Sequence, residues 1–192
     1  MIRVWREVEV KLAVVNPDEA RKALLGEGFK YLDTCFEVDT YYSHPCRNFA
    51  ESDEALRLRK RVCSSGSSYT LTYKGPRQRA TGEVGLKVRE EVEVHLEEEA
   101  YESIKQLLGK LGFVEVASFS KKREIYESGG GELEASLDEL HGVGYFLEIE
   151  ARSRSAQARL GELVERVFKN YAVVEETYLE ICIKTRRCVV ER

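Results

Sequence analysis

The sequence predicts an α+β protein built around a closed, eight-stranded antiparallel β-barrel that helices cover from outside. Three observations predict this fold: a long internal repeat, strands with strict alternation, and charged side chains that recur on one face of those strands. Residues 1–192 are expected to form a single domain. Its two related halves span about 1–80 and 85–154. We expect three or four helices in the whole chain, and C-terminal helices lie within 155–192.

The repeat is a self-match at one constant offset, which carries Glu7 onto Glu91. The motif Glu-Val-Glu-Val at 7–10 recurs at 91–94, and the Gly-Phe pair at 28–29 recurs at 112–113. The offset holds without a gap through a strand, a helix and a further strand. It therefore predicts two equivalent halves, which we expect to be related by an approximate two-fold axis along the barrel.

Each half begins with a strand and continues with a helix. Residues 3–12 alternate between apolar and charged side chains, as a strand with two different faces does. The first helix is expected to begin at Asn16, a good N-cap, followed by Pro17 in the first turn. A later helix is expected to begin at Ser155, also as an N-cap. Further strands are predicted at 33–42, 55–63, 68–74, 117–127, 132–140 and 145–153.

Charges of a single sign repeat at every second position of several predicted strands. The sets are Glu7/Glu9, Arg57/Arg59/Arg61, Lys87/Arg89, Glu91/Glu93, Lys121/Arg123 and Glu148/Glu150. Two carboxylates two residues apart on a strand lie roughly 7 Å apart and repel each other by about 2 kcal/mol at an effective dielectric near 20. Such a repeated cost predicts that these faces turn inward, toward a cavity that binds compensating charge. Eight strands enclose about one small ligand.

The two signs together predict the chemistry of that ligand. Guanidinium and ammonium groups hold phosphate oxygens, and the candidates are Lys11, Arg57, Arg59, Lys74, Lys87, Arg89, Lys121 and Arg123. Carboxylates bind Mg²⁺ or Mn²⁺, which bridge to phosphate, and the candidates are Glu7, Glu9, Glu148 and Glu150. A single Glu-x-Glu pair is more often a solvated strand face. Here every charged set falls on one face of its predicted strand, and this agreement favours a site for a metal ion with a polyphosphate.

Composition excludes several other classes of protein. With 34 acidic and 30 basic residues and a net charge of −4, the chain does not have the positive charge of a general nucleic-acid binder. It contains no Walker loop, Rossmann fingerprint or zinc-ligand spacing. No apolar run reaches the roughly 20 residues that span a bilayer. We therefore expect a cytoplasmic protein without a nucleic-acid or membrane partner, and leave open whether two copies pair through an outer face.

The five cysteines contain no Cys-x-x-Cys pair and are odd in number. We predict that they are reduced thiols, with a disulfide as the less favoured alternative.

These motifs resemble those of the CYTH superfamily, the triphosphate tunnel metalloenzymes. The resemblance is carried by Glu7-x-Glu9-x-Lys11 and by segments 39–42, 53–59, 71–76, 121–126 and 137–150. It implies that Lys11, Arg57, Arg59, Lys74, Lys121 and Arg123 bind a triphosphate. It also implies that Glu7, Glu9, Glu148 and Glu150 hold a metal ion, with Asp138 nearby. Segment 42–45 and the residues leading to Arg57 are most similar to the class IV adenylyl cyclase branch.

By this resemblance the chain would convert ATP to cyclic AMP and pyrophosphate. The alternative is a triphosphatase that hydrolyses thiamine triphosphate, tripolyphosphate or a nucleoside triphosphate, and a third candidate is a non-catalytic nucleotide- or polyphosphate-binding module. We expect Glu9, Lys11, Arg123 and Asp138 to take part in catalysis, and a metal ion rather than a histidine to activate the nucleophile. The second acidic pair, at 91 and 93, is expected to brace cations or to bind a further metal ion.

Overall fold

The structure is a computed structural model that describes residues 3–79, 87–153 and 155–191, with the side chains of residues 3–7, 79 and 87 left out of the description. Nine strands and four helices lie within these ranges. In chain order they are β1 (Arg3–Val14), α1 (Pro17–Gly26), β2 (Lys30–Ser43), β3 (Ala55–Cys63), β4 (Gly66–Lys74), β5 (Gln78–Arg79), β6 (Lys87–Leu96), α2 (Glu98–Lys110), β7 (Val114–Glu127), β8 (Leu133–Leu140), β9 (Gly144–Ala151), α3 (Ala156–Val167) and α4 (Tyr178–Thr185).

Eight strands close into a barrel in which every neighbouring pair is antiparallel. Their order is β1-β9-β8-β7-β2-β3-β4-β6, and β6 pairs with β1 to complete the ring. The two-residue strand β5 adds to β6 outside this ring. The predicted fold class is confirmed. Closure leaves an interior that receives every second side chain of the strands.

The internal repeat holds at the level of whole elements, but its symmetry axis differs from the prediction. The offset that carries Glu7 onto Glu91 also carries both ends of β2 onto those of β7, and the start of β1 onto that of β6. The two halves meet where β1 pairs with β6 and where β2 pairs with β7. Arg6 is opposite Glu90 in the first pairing, and Glu37 is opposite Lys121 in the second. The two members of each pair are equivalent by the repeat. Equivalent antiparallel neighbours are related by a two-fold axis normal to the sheet. The axis therefore crosses the tunnel at right angles, and the prediction of an axis along the tunnel was wrong.

The outer face of the barrel is apolar and is covered by helices. Helices α1 and α3 pack on β1, β8 and β9, where Leu24 and Leu160 join one buried cluster. Helix α2 packs on β2, β3 and β4, where Leu108 and Tyr101 join another. The apolar residues that alternate with the inward charged sets are expected on this outer face, and they are buried in these layers: Val8, Val10, Leu58, Leu147 and Ile149. Among the helices in the described residues, none has the length and apolar character needed to cross a bilayer.

The helix starts follow the predicted chemistry in one case and depart from it in another. Asn16 Oδ1 accepts a hydrogen bond from the backbone N–H of Asp18 at 3.1 Å, which confirms it as the N-cap of α1. Ser155 precedes α3 but makes no side-chain capping bond, because its backbone is already helical (φ −68°, ψ −26°). The bond predicted for it is made by Ser153, whose hydroxyl accepts from the N–H of Ala156 at 3.2 Å.

Four of the five cysteines form disulfides, so the prediction of reduced thiols was wrong for them. Cys35 of β2 is bonded to Cys63 of β3, and Cys182 of α4 is bonded to Cys188. Cys46 is exposed and free. The register of β2 and β3 places Cys35 directly opposite Cys63, which the linear spacing of the two cysteines does not reveal.

Candidate active site

A cavity of about 330 Å³ runs through the barrel, and charged side chains dominate its lining. The predicted site residues that line it are Glu9, Lys11, Arg57, Arg59, Lys74, Arg89, Lys121, Arg123, Glu148 and Glu150. The side chains of Glu7 and Lys87, also predicted, lie outside the described residues. Inward orientation follows from strand alternation, because the apolar neighbours of these residues fill the outer layer.

A cluster of ion pairs lies between β2 and β3. Asp39 accepts hydrogen bonds from Arg59 Nε at 2.6 Å and Nη2 at 2.7 Å. The Glu37 carboxylate lies 3.2 Å from Arg59 Nη1 and 3.1 Å from Lys121 Nζ, and it also accepts from Arg61. Burial acts to raise the pKa of the Glu37 carboxyl, but the charges of Arg59 and Lys121 outweigh burial and hold the pKa well below its usual range. Glu37 thus stays ionised although it is fully buried.

A second cluster lies between β7 and β8. Asp138 accepts hydrogen bonds from Arg123 Nε at 2.7 Å, from Lys121 Nζ at 3.1 Å and from the hydroxyl of Tyr178 at 2.7 Å. Burial acts to lower the pKa of the Arg123 guanidinium, but the carboxylates of Asp138 and Glu37 outweigh it and raise that pKa well above its usual value. Asp138 is fully buried and is not among the cavity-lining side chains, so it orients Lys121 and Arg123 from behind.

Two cavity arginines have no close carboxylate partner among the described side chains. Arg57 Nη2 donates to Thr72 Oγ1 at 3.3 Å and lies 3.9 Å from Glu93, while its Nε finds no acceptor in the described part of the chain. Arg89 donates to the backbone carbonyls of Gly75 at 2.8 Å and Asp53 at 2.9 Å. Among the described side chains, neither guanidinium group is thus held in a close ion pair that a bound anion would first have to break.

Carboxylates from three adjacent strands lie side by side on another part of the wall. Glu9 of β1 is paired in register with Glu150 of β9, which is paired with Glu134 of β8. Glu148, two residues from Glu150 on β9, has one oxygen 3.3 Å from Lys11, and its other oxygen accepts from Arg123. Burial acts to raise the pKa of Glu148, but Lys11 and Arg123 lower it further than burial raises it.

The donor set of this wall fits a hard divalent ion, because Mg²⁺ and Mn²⁺ accept carboxylate oxygens and complete their shell with substrate phosphates. Glu9, Glu148 and Glu150 are the predicted carboxylate ligands whose side chains line the cavity. In the described ranges the only three-residue group with converging ligand atoms is Asp33, Cys35 and Cys63, whose sulfurs are joined in a disulfide. The described glutamates therefore do not converge on a single point.

Helix α4 and the segment between β2 and β3 form one end of the cavity. Phe49, Ala55, Leu179 and Ile183 contribute apolar surface there. Arg77 ties the two elements together, since it bonds Asp53 through Nε at 2.9 Å and Glu180 through Nη2 at 2.7 Å. Beside the charged tunnel there is thus an apolar mouth that could receive an organic group.

Several site residues were missed from sequence. Glu37 and Asp39 carry the same alternate spacing as the predicted sets and could have been found from it. Glu134 forms an alternate pair with Glu132 in the predicted strand 132–140, so the same rule could have found it. Arg77 and Tyr178 depend on where α4 docks, which no local pattern specifies.

Comparison with known proteins agrees with this geometry. The chain is 38% identical over 144 residues, 75% of each chain, to a Methanocaldococcus jannaschii protein named "Putative adenylate cyclase MJ0240". The structure of the PH1819 protein from Pyrococcus horikoshii OT3 matches with a TM-score of 0.78 and 32% identity, covering 94% of this chain and 99% of that one.

HpAC1 from Hippeastrum, described as a "putative adenylyl cyclase" with a dominant triphosphatase activity, shares the fold. It matches with a TM-score of 0.67 and 19% identity over 95% of this chain and 97% of its own. The CYTH domain matches residues 6–182, from within β1 to within α4. With that match across nearly its whole length, the chain belongs to the CYTH family.

Proposed function

We propose that this chain is a divalent-metal-dependent enzyme that acts on a triphosphate, and that it converts ATP to cyclic AMP and pyrophosphate. The observation that carries the proposal is the continuous cavity in which arginines and lysines face a wall of carboxylates. A polyphosphate alone would be repelled by the carboxylates, and a metal ion alone by the cations. A metal–triphosphate complex satisfies both sets.

Each group of residues has a separate task in this mechanism. Arg57 and Arg89, with Lys74, would grip the phosphate oxygens, and the apolar mouth beside Phe49 would hold the nucleoside. This binding would present the α-phosphorus to the ribose 3′-hydroxyl. Lys11 and Arg123 would offset charge that develops on the leaving pyrophosphate.

The remaining proposed roles belong to the carboxylates. Glu9 and Glu150 would hold Mg²⁺ or Mn²⁺, with Glu7 and Glu148 as the other proposed ligands. When bound, the ion lowers the pKa of the attacking hydroxyl and neutralises charge on the phosphates. Asp138 would keep Arg123 and Lys121 oriented. The similarity to the M. jannaschii protein supports the cyclase reaction over other triphosphate chemistry.

The second candidate is a triphosphatase acting in the same cavity. It is supported by HpAC1, which shares the fold and for which a dominant triphosphatase activity is described. The reactions differ in the phosphorus that faces the nucleophile: the α-phosphorus for the cyclase and the terminal phosphorus for the hydrolase. Product analysis by phosphorus NMR separates them, because the cyclase yields cyclic AMP with pyrophosphate and the hydrolase yields orthophosphate. A binding module would yield neither, and the retained carboxylate wall argues against it.

The metal and phosphate tasks can be separated by mutation. Glu150→Gln, or Glu9→Gln, should reduce turnover to background while triphosphate still binds, because the amide keeps the shape but removes the charge that a divalent ion requires. Arg57→Ala should instead weaken binding by about 1.5–3 kcal/mol, the value of a lost charge-assisted hydrogen bond. Glu139→Gln, on the outward side of β8, is the matched control and should change neither quantity.

The measurements are turnover followed by phosphorus NMR and calorimetric titration with a non-hydrolysable ATP analogue, with and without Mg²⁺. Near-normal turnover of Glu150→Gln at saturating Mg²⁺ would show that this carboxylate only braces neighbouring cations.

A further inference from the structure

Tyr178, the first residue of α4, enters the charged tunnel from a part of the chain that carries none of the charged motifs. Its ring centroid lies 3.8 Å from Lys11 Nζ and 4.7 Å from Lys121 Nζ, both within the range of a cation–π contact. The side chain is only 6% exposed. One aromatic ring therefore contacts two of the ammonium groups assigned to triphosphate binding.

The hydroxyl of Tyr178 joins the same network from its other end. It donates to Asp138 Oδ2 at 2.7 Å, and the same oxygen accepts from Lys121 Nζ at 3.1 Å. Burial raises the pKa of the phenol well above its usual value, and the negative charges of Asp138 and Glu148 raise it further. The hydroxyl consequently remains protonated, and a donor, at neutral pH.

The position of Tyr178 is fixed by several independent restraints on α4. Thr177 and Glu180 form a capping box at its start, and Arg77 holds Glu180 through two nitrogens. Ile181 packs in an apolar cluster with residues of β7, β8 and β9, and the Cys182–Cys188 disulfide lies one residue further along. The ring is thus held in place by the fold rather than by the two lysines alone.

From this arrangement we infer that Tyr178 is a positioning residue, which holds Lys11 and Lys121 for the triphosphate with its ring and orients Asp138 with its hydroxyl. The ring contacts both ammonium groups, and both lysines line the cavity in which the triphosphate is proposed to bind. Lys11 has a carboxylate, Glu148, at 3.3 Å, and Lys121 has Glu37 at 3.1 Å. Without the ring, these polar partners alone would set the position of each lysine, and the lysine would be less available to a bound anion. The inference rests on the proposed function, since it concerns binding in the same cavity.

Two substitutions separate the ring from the hydroxyl. Tyr178→Leu removes the ring and should weaken binding of metal-free tripolyphosphate about tenfold, the effect of losing two modest cation–π contacts. Tyr178→Phe keeps the ring, so affinity should stay within about twofold while turnover at saturating substrate falls because Asp138 is less well oriented. Val164→Ala is the control: it removes packing from α3 on the outer face of the barrel, where no ammonium group is touched, and should leave affinity unchanged.

A shape-conserving series guards against misfolding of the leucine variant. Phenylalanines with one, two and three ring fluorines at position 178 weaken the ring's negative face stepwise and should lower tripolyphosphate affinity in the same order. Affinity is measured by calorimetry with and without Mg²⁺, turnover by phosphorus NMR, and folding by circular dichroism. If the wild-type protein binds tripolyphosphate neither with Mg²⁺ nor without it, the proposed function fails. If it binds and neither the fluorinated series nor Tyr178→Leu changes affinity, the positioning role is overturned.

Discussion

The β2–β3 and β7–β8 hairpins occupy equivalent places in the two halves of the barrel, yet they carry opposite charges. On the first, Asp39 of β2 is paired in register with Arg59 of β3. On the second, Arg123 of β7, the residue equivalent to Asp39 by the repeat, is paired in register with Asp138 of β8. The repeat has therefore preserved the place and geometry of a buried ion pair while reversing its polarity.

This reversal shows that the barrel specifies where a charged group points but not which sign it has. What the interior requires is that each buried charge meets a partner, since an uncompensated one would be costly. The first half supplies arginines on β3 to the cavity, and the second half supplies carboxylates on β8 and β9. The two halves are thus complementary sides of one site and not two copies of a site.

The largest expected effect comes from breaking either ion pair. Asp39→Ala should lower the free energy of unfolding by about 3–5 kcal/mol, because it leaves a buried guanidinium without its main partner. Asp138→Ala should cost more, since Lys121 and Tyr178 also lose a bond. Urea-induced unfolding at pH 7 measures both, with Glu139→Ala on the outward side of β8 as a control within about 0.5 kcal/mol of wild type. Equal losses at Asp39 and Asp138 would mean that the second cluster contributes no more than the first.

Truncations on the outer faces of the two halves should also differ in their effect on the free energy of unfolding, by a smaller amount. Val10 of β1 and Val94 of β6 are equivalent by the repeat, but Val10 is fully buried in the cluster that includes α3, whereas Val94 is 37% exposed. Val10→Ala should cost about 2 kcal/mol of unfolding free energy, from two buried methyl groups and the cavity they leave. Val94→Ala should cost less than about 0.5 kcal/mol. Comparable losses in thermal or urea unfolding would indicate that the face at Val94 is covered in solution.

The smallest predicted effect is on acid stability. The folded pKa values of Glu37 and Asp39 are depressed, so the unfolded chain binds more protons at low pH. Their stabilisation is present above about pH 4.5 and is lost as the pH falls. Glu37→Gln should reduce the slope of the free energy of unfolding against pH on the acid side. The reduction is at most about 1.4 kcal/mol per pH unit, the value for the binding of one proton. Urea unfolding at pH 6, 5, 4 and 3 would show this, and parallel curves for variant and wild type would contradict it.

The inward charges could be predicted from sequence because alternation and sign are both local properties of a strand. The inward orientation of Arg57 and Glu150 could be predicted without knowing which residues lie near them in space. The same rule could have identified Glu37 and Asp39. The symmetry axis could not be predicted from the repeat alone. It depends on β1 pairing with β6 and β2 with β7, and sheet order is set by contacts between the halves.

Other features depend on register or docking, which are properties of the assembled fold. Cys35 meets Cys63 because the pairing of β2 with β3 fixes which residues are opposite. Tyr178 reaches Lys11, near the other end of the chain, only because α4 packs at the end of the tunnel. Neither contact leaves a pattern in the linear sequence.

The contact between Glu37 and Lys121 has a consequence for the origin of the barrel. These residues are equivalent by the repeat, directly opposite in register, and 3.1 Å apart, so they meet on the axis itself. In an ancestor made of two identical half-barrel chains, the residue at such a position meets its own copy. Two glutamates or two lysines at this distance would repel each other by about 5 kcal/mol at an effective dielectric near 20. Opposite charges there require two independently mutable copies. This buried contact must therefore have arisen after the half-barrel sequence had been duplicated.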